Sequence, residues 1–224
     1  MKKREEQKEK AQTAIKLLIA KIDENPDDVQ AYYELGVALT EMKSYSQAEE
    51  LFKRTLSAFS KTPEKTDILH YGLGNVYYAS ELYSEAITEF KNVKSKKLRN
   101  DAYLMIAQTN YVQENYEIAL AFALTAAQQE QDSKNDDALK LVGDCFMNMG
   151  NFEQAKQYYD QALKIKPKDV AVLFQRGIIA MIDKDIPNKY FKLVKQIDGK
   201  YYKKMQSRLT DAETFVIKKQ TKKE

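Results

Sequence analysis

The side chains that most often act as nucleophiles or metal ligands are rare in this chain of 224 residues, which has one histidine and one cysteine. A zinc site with a histidine ligand, or a cysteine–histidine nucleophile, would need His70 and Cys145 to meet in the folded protein. The two residues are far apart in the chain, so this contact is not expected. We therefore interpret both as packing residues and predict no metal ligands, no cofactor and no catalytic residues.

Other catalytic motifs are incomplete. Gly72 and Gly74 resemble part of a nucleotide-binding loop, but that loop needs a preceding strand and a third glycine at the start of a helix. The sequence contains no phosphate-binding lysine motif and no Gly-x-Ser-x-Gly turn around a serine nucleophile. Neighbouring carboxylates such as Glu49 and Glu50 are interpreted as a solvated helix face. We therefore expect a protein that is not an enzyme.

The charge and hydropathy of the chain disfavour two classes of partner. The 36 Lys and Arg residues against 33 Asp and Glu residues give a net charge of +3, too small to attract nucleic acid or membranes in bulk.

The charged opening from Lys2 to Lys10 lacks the apolar stretch of a signal peptide. Apolar runs such as 177–182 are far shorter than the roughly 20 residues that cross a bilayer. Since a single cysteine forms no internal disulfide, we expect a cytoplasmic protein.

Glycine and proline are scarce, at seven and four residues, which is too few for the turns of many short strands. Apolar residues instead recur at helical spacing. Ala48, Leu51, Phe52 and Leu56 follow the i, i+3, i+4, i+8 pattern of one helix face. We therefore predict an all-α fold.

Small residues recur along the chain at a constant spacing. Five units can be aligned so that their eighth residue is small: Gly36, Gly74, Ala107, Gly143 and Gly177. An alanine follows twelve residues later in four of them: Ala48, Ala86, Ala119 and Ala155. Two antiparallel helices that cross at about 8–10 Å leave no room for a bulky side chain at the contact. The pattern therefore predicts helical hairpins in which glycine and alanine let the two backbones meet.

Larger residues surround these small positions, including Phe52, Phe90 and Tyr159 on the second helices, although Ala123 interrupts the series in the third unit. The interval between successive small positions varies, being 38, 33, 36 and 34 residues, whereas the twelve-residue step does not vary. We therefore place the length differences in the connections between hairpins.

The repeated pattern resembles the tetratricopeptide repeat family, whose units of about 34 residues carry small residues at these two positions and end with a proline. Pro26 and Pro167 match the closing proline. Pro63 is expected to lie instead in an extended connection from Ser60 to Thr66. The resemblance covers residues 29–169 and implies a right-handed superhelical α-solenoid of antiparallel helix hairpins with capping helices.

The units and their flanking segments divide the chain into seven parts. These are 5–28, an N-terminal capping helix equivalent to half a repeat; 29–66, 67–99, 100–135 and 136–169, repeats 1 to 4; 170–198, a degenerate fifth repeat; and 199–224, a C-terminal capping helix and basic tail. The fifth repeat is degenerate because Arg176 and Lys189 replace the apolar residue and the alanine expected there. Thr210 to Glu213 is a candidate capping box for a further helix.

The resemblance also implies a concave groove lined by the first helix of each unit. The positions that face it correspond here to Tyr33, Val37, Tyr71, Asn75, Tyr78, Leu104, Gln108, Tyr111, Lys140 and Asp144. A tyrosine offers a ring to bury and a hydroxyl for hydrogen bonds, and the amides of Asn75 and Gln108 can pair with a peptide backbone. The groove therefore suits a peptide or protein ligand, unless the tyrosines only pack against neighbouring helices.

Charged positions in the groove narrow the range of partners. Family members that grip the C-terminal carboxylates of chaperones use lysine, arginine and asparagine, but Tyr33 and Val37 stand at two of those positions. Asp144 likewise replaces the asparagine expected beside Lys140. With Asp101 as a further acid, the groove favours a partner that carries basic and apolar residues.

Two alternative functions remain. Residues 183–224 hold 12 Lys or Arg and 6 Asp or Glu, a net charge of +6, so an accessory factor that contacts nucleic acid through this segment is one alternative to a solubilising tail. The lysines concerned are Lys218, Lys219, Lys222 and Lys223. The other alternative is an architectural subunit that self-associates through Phe174, Ile178 and Met181. The leading interpretation is a non-catalytic interaction scaffold or adaptor, expected as a monomer and similar to short stand-alone repeat proteins of the bacterial cytoplasm.

Overall fold

A computed structural model describes residues 2–128, 135–184, 188–206 and 209 of the chain. The regular elements within these residues are helices, and none of them is a strand. The prediction of an all-α fold is therefore confirmed. The helices are α1 (Lys2–Glu24), α2 (Val29–Glu41), α3 (Tyr45–Ala58), α4 (Pro63–Ala79), α5 (Tyr83–Asn92), α6 (Lys96–Val112), α7 (Tyr116–Ala127), α8 (Asp136–Asn148), α9 (Phe152–Ile165), α10 (Val170–Ile182), α11 (Lys189–Ile197) and α12 (Gly199–Lys204).

The chain divides into two compact units, with the boundary between Gln113 and Glu114. In the first unit each helix from α1 to α6 packs against the next, and α4 also contacts both α2 and α6. The helices α2, α4 and α6 therefore form one layer, called here the inner layer, and α3 and α5 lie outside it. In the second unit, α7 to α12 pack against one another in chain order.

The turns inside the hairpins share one backbone feature. A residue in the left-handed region, with φ between 60° and 77°, follows the first helix of each hairpin: Lys43, Glu81, Glu114, Gly150 and Lys184. Each lies seven residues after the small position of its unit. The first four hairpins thus use the same short turn, which explains why the twelve-residue step is constant.

In the first unit an aromatic ring covers each glycine of the small position. The Phe52 ring lies against both Gly36 and Gly72, and the Phe90 ring covers Gly74. A Cβ atom at Gly74 would lie 2.6 Å from Phe90 Cε1, closer than two carbon atoms approach in a packed core. The predicted close approach is therefore real, but a ring from the outer helix fills the space, and not the opposing backbone.

The second unit repeats this arrangement. Tyr159 covers Gly143, and Phe191 covers Gly177 in the fifth hairpin. The third repeat carries Ala107 where the other repeats have glycine and Ala123 where they have a ring, and both alanines are fully buried. Glycine thus occurs at this position wherever the sequence also supplies a ring.

The structure corrects the predicted extended connection from Ser60 to Thr66, because α4 begins at Pro63. Proline is favourable in the first turn of a helix, where its fixed φ fits and its missing N–H needs no partner. The helix α6 likewise begins at Lys96, before the predicted start of the third repeat at Asn100. Two inner helices are therefore about one turn longer than the repeat pattern predicts.

Arg176, which replaces an apolar residue in the fifth hairpin, has polar partners for its buried charge. Arg176 is only 5% exposed. Its Nε donates to Asp160 Oδ1 at 2.6 Å and its Nη2 donates to the Tyr190 hydroxyl at 2.9 Å, so the buried charge is neutralised. This pairing links α9, α10 and α11.

Two of the three residues proposed for self-association are covered, and the third, Met181, is half-buried. Phe174 and Ile178 on α10 are buried in a cluster that includes Phe191 of α11 and Tyr201 and Tyr202 of α12. The architectural interpretation therefore loses two of its three proposed contact residues. The candidate capping box at Thr210 to Glu213 and the four lysines of the tail lie outside the described residues.

Replacing Gly72 with alanine tests the ring packing. Alanine normally stabilises a helix interior by about 1 kcal/mol relative to glycine. We expect the opposite at Gly72, because the new Cβ would overlap Phe52 and approach Tyr33 Cδ2 at 3.1 Å. Overpacking of this kind should lower the free energy of unfolding by about 1–3 kcal/mol in urea denaturation. Gly199→Ala is the control, since a Cβ added at Gly199 would meet nothing within 4 Å. Equal losses of stability in both variants would contradict the interpretation.

Replacing Glu81 with glycine tests the strain in the turns. Glu81 has a φ of 64°, where a Cβ atom is unfavourable, and Gly150 has a φ of 77° in the equivalent turn. Glu81→Gly should therefore raise the free energy of unfolding by about 0.5–1 kcal/mol, and Gly150→Ala should lower it by a similar amount. Thermal unfolding measures both changes. A lower melting temperature for Glu81→Gly would show that the turn carries no such strain.

Candidate functional site

The inner layer carries eight of the ten groove residues predicted from the sequence, and each of the eight is half-buried. They are Tyr33 and Val37 on α2, Tyr71, Asn75 and Tyr78 on α4, and Leu104, Gln108 and Tyr111 on α6. We call these eight residues the inner-layer surface. Because α4 packs against both α2 and α6, residues from three hairpins are brought to neighbouring helices.

Two tyrosines of this surface rest on the rings that cover the glycines. The centroids of Tyr33 and Phe52 are 6.5 Å apart, and those of Tyr71 and Phe90 are 5.7 Å apart. Tyr33 also reaches α4 beside Gly72. Packing against neighbouring helices therefore accounts for one side of each ring, while the half-buried state leaves the other part of the side chain accessible.

Tyr33, Tyr71 and Asp101 share one electrostatic environment. Burial raises the pKa of Tyr33, and it raises the pKa of Tyr71 to about 12. The Asp101 carboxylate on α6 adds to both increases, because a nearby negative charge disfavours a phenolate. A hydrogen bond from Asn75 partly opposes the increase at Tyr71. Partial burial also raises the pKa of Asp101.

The C-terminal end of α4 presents a third tyrosine. Tyr78 lies 6.0 Å from Tyr83, measured between ring centroids, and burial raises its pKa, with a smaller contribution from Tyr83. On α6, Leu104, Gln108 and Tyr111 complete the surface with an apolar, an amide and a phenol side chain. The inner-layer surface thus alternates rings with groups that form hydrogen bonds.

The remaining two predicted residues, Lys140 and Asp144, lie half-buried on α8 in the second unit. Asp144 Oδ1 accepts a hydrogen bond of 2.6 Å from the hydroxyl of Tyr159, whose ring covers Gly143. Asp144 therefore stabilises its own hairpin, a role that the groove pattern missed. The signal was the tyrosine at a position where the first two repeats have phenylalanine, because a buried hydroxyl needs a partner.

His70 and Cys145 occupy ordinary structural positions. His70 Nδ1 lies 2.7 Å from Glu89 Oε2 and connects α4 with α5, a pairing that the sequence did not reveal. Cys145 is fully buried on α8, and burial, aided by Asp144, raises the pKa of its thiol to about 12. Its thiol is therefore protonated and unreactive at neutral pH.

The described part of the chain contains neither a metal-binding cluster nor a membrane-spanning helix. Within it, no group of three or more His, Cys, Asp or Glu side chains is arranged to hold a metal ion. No described helix combines the length and the apolar character that crossing a membrane requires.

Two models of the tetratricopeptide repeat match the chain, one over residues 7–64 and the other over residues 136–169. The comparison with curated proteins gives no match. The matches to solved structures are at low sequence identity, so they show a shared fold.

Three of these structures illustrate the likeness. YrrB, a TPR protein with an unusual peptide-binding site, is 19% identical, with a TM-score of 0.60 over 85% of this chain and 97% of that chain. PilF of Pseudomonas aeruginosa is 18% identical, with a TM-score of 0.68 over 84% and 88%. BtubC of P. vanneervenii is 14% identical, with a TM-score of 0.68 over 92% of each chain. The prediction of a solenoid of helical hairpins is therefore confirmed.

Titration of Tyr71 tests the environment of the inner-layer surface. The phenolate absorbance that Tyr71→Phe removes should have a midpoint near pH 12, above the value of about 10 for an exposed tyrosine. Because the folded-state pKa is raised, the protein should lose stability as the pH rises from about 10 to 12, and the variant should lose less. Asp101→Asn should lower the Tyr71 midpoint. A midpoint near 10 in the wild type would contradict the burial described above.

Proposed function

Because the chain belongs to the tetratricopeptide repeat family, we propose that it is an interaction scaffold or adaptor that binds a peptide or protein segment in a groove along the inner-layer surface. Proteins of this family are generally non-catalytic scaffolds. The observation that carries the proposal is the contact of α4 with α2 and α6, which brings half-buried tyrosine and amide side chains from three hairpins onto adjoining helices. YrrB has a peptide-binding site on the same fold, which supports this function.

Binding would use a surface that exists before the ligand arrives. The rings of Tyr33 and Tyr71 are held by Phe52 and Phe90. Side chains fixed in this way lose little conformational freedom when a ligand binds, so more of the contact energy contributes to affinity. Tyr78 and Tyr111 extend the ring contacts along α4 and α6.

Amide groups give the surface direction. Asn75 and Gln108 each carry a donor and an acceptor that can pair with the backbone of an extended segment. Rings without such groups would bind many apolar segments equally well. The combination favours a peptide whose apolar side chains meet the tyrosines while its backbone meets the amides.

The charge of the surface favours a partner with basic residues. The positions that the family pattern assigns to the groove in the first three repeats include Glu41 and Asp101 but no lysine or arginine. Asp144 of the fourth repeat keeps its negative charge, and its Oδ1 accepts a hydrogen bond from the Tyr159 hydroxyl. In the first three repeats the exposed acids at these positions are Glu41 and Asp101. A cytoplasmic location, a bacterial source and a monomeric state, which the sequence favours, belong to this proposal.

Salt dependence separates this function from nucleic-acid binding through the basic tail. Contacts to phosphates weaken steeply and log-linearly as salt rises, whereas a groove lined by tyrosines should respond modestly.

A random-peptide display selection on the full chain tests the scaffold function. Peptides selected by the wild type should bind Tyr78→Ala and Tyr111→Ala at least about tenfold more weakly in fluorescence polarisation, because buried rings are common hot spots. Tyr45→Ala removes a half-buried tyrosine from the outer helix α3 and should leave affinity unchanged. Peptides whose affinity is the same for all three variants would reject the groove, and circular dichroism checks that each variant folds.

A further inference from the structure

Asp101 is a charged residue for which the described part of the chain provides no partner. Among the described residues, no lysine, arginine or histidine forms an ion pair with its carboxylate, and no side chain or backbone group forms a hydrogen bond with it. The residue is exposed, so a ligand can reach it. A cation on a ligand would form with this carboxylate the ion pair that the described residues do not provide.

Two phenols lie on the inner helices that adjoin the helix of this carboxylate. Tyr71 is the fifth residue of its repeat and Asp101 is the second residue of the next, and their helices α4 and α6 pack against each other. Tyr33 extends from α2 to α4, where its Cδ2 lies 3.1 Å from the position that a Cβ of Gly72 would occupy. Tyr71, next to Gly72 on α4, leans on Phe90. Both phenols respond electrostatically to Asp101 on the adjoining helix α6. Three adjoining inner helices therefore contribute one carboxylate and two rings to neighbouring positions of the same layer.

We propose that Tyr33, Tyr71 and Asp101 form a pocket for the guanidinium group of an arginine in the segment that the groove binds. This assignment rests on the proposed function, and it names the side chain that the segment must carry. A guanidinium is planar, stacks on aromatic rings and donates two parallel hydrogen bonds to one carboxylate. A lysine ammonium matches the charge but neither the planarity nor the paired donors.

Gly72 is a positioning residue for this pocket. A Cβ at Gly72 would meet the Phe52 ring and crowd Tyr33, so glycine allows the Tyr33 ring to lie close to α4. The same pocket does not recur at Asp144, because the Tyr159 hydroxyl already occupies that carboxylate. In the fourth repeat the acid accepts a hydrogen bond from its own hairpin, whereas Asp101 accepts none from the described residues.

A small probe tests the pocket directly. N-acetyl-arginine amide is titrated into the full chain with ¹³C-labelled tyrosine rings, and the signals are assigned with Tyr33→Phe and Tyr71→Phe. Saturable shifts are expected for Tyr33 and Tyr71. The neutral analogue N-acetyl-citrulline amide, which has nearly the same shape, should bind at least about tenfold more weakly, and the lysine analogue should also bind more weakly than arginine.

Matched variants locate the charge. Asp101→Asn should lower the affinity for the arginine probe at least about tenfold. Glu85→Gln, which removes an exposed acid from the outer helix α5, should leave that affinity unchanged. Equal affinity for the arginine and citrulline probes, or an unchanged affinity in Asp101→Asn, would overturn the pocket. Circular dichroism of Asp101→Asn confirms that the fold is intact.

Peptides from the display selection distinguish failure of the pocket from failure of the scaffold function. Replacing a peptide arginine with citrulline should lower the peptide's affinity for the wild type at least about tenfold. It should change the affinity for Asp101→Asn little. If peptide binding depends on Tyr78 and Tyr111 but the citrulline replacement has the same effect on the wild type and on Asp101→Asn, the arginine pocket is wrong and the groove proposal is retained. If no peptide depends on Tyr78 or Tyr111, the groove is wrong, and the probe titration decides the pocket separately.

Discussion

The structure depends on the fit of an aromatic ring over a glycine. Phe52, Phe90, Tyr159 and Phe191 each cover a glycine on another helix, where even one added carbon would overlap the ring. Phe52 contacts glycines of two successive inner helices and so joins two hairpins. Since each ring is large and rigid, it sets both the separation and the register of the helices it touches. A repeat array is stable only when such contacts recur between neighbours.

The same rings connect the core with the candidate site. Tyr33 and Tyr71 lean on Phe52 and Phe90 from the inner-layer side, so the residues that stabilise the hairpins also hold the surface side chains. A ligand would therefore meet rings that are already oriented. Asp101 adds a charge that the described residues of the protein leave without a partner. Stability and recognition thus use adjoining parts of one packed layer.

The sequence predicts the structure best where spacing alone decides the outcome. The twelve-residue step predicted the hairpins because it reflects the same left-handed turn in the first four of them. The sequence does not predict which side chains distant in the chain meet. The pairs Tyr159–Asp144, His70–Glu89 and Arg176–Asp160 each join different helices, and their formation depends on rotamers and helix rotation. The helical start at Pro63 was missed because proline suits both a connection and a first helical turn.

The sequence by itself determined the fold class, the hairpin repeat and the residue types on the inner helices, because periodicity and small side chains constrain helix packing directly. The tertiary structure alone decided which side chains fill the space over each glycine and which acids find a partner. Asp144 and Asp101 are the same type of residue, yet Asp144 accepts a hydrogen bond from Tyr159, whereas Asp101 has no hydrogen bond or ion pair among the described residues. That difference arises from which side chain of a neighbouring helix reaches each carboxylate, and packing decides this through distances that a single sequence does not contain.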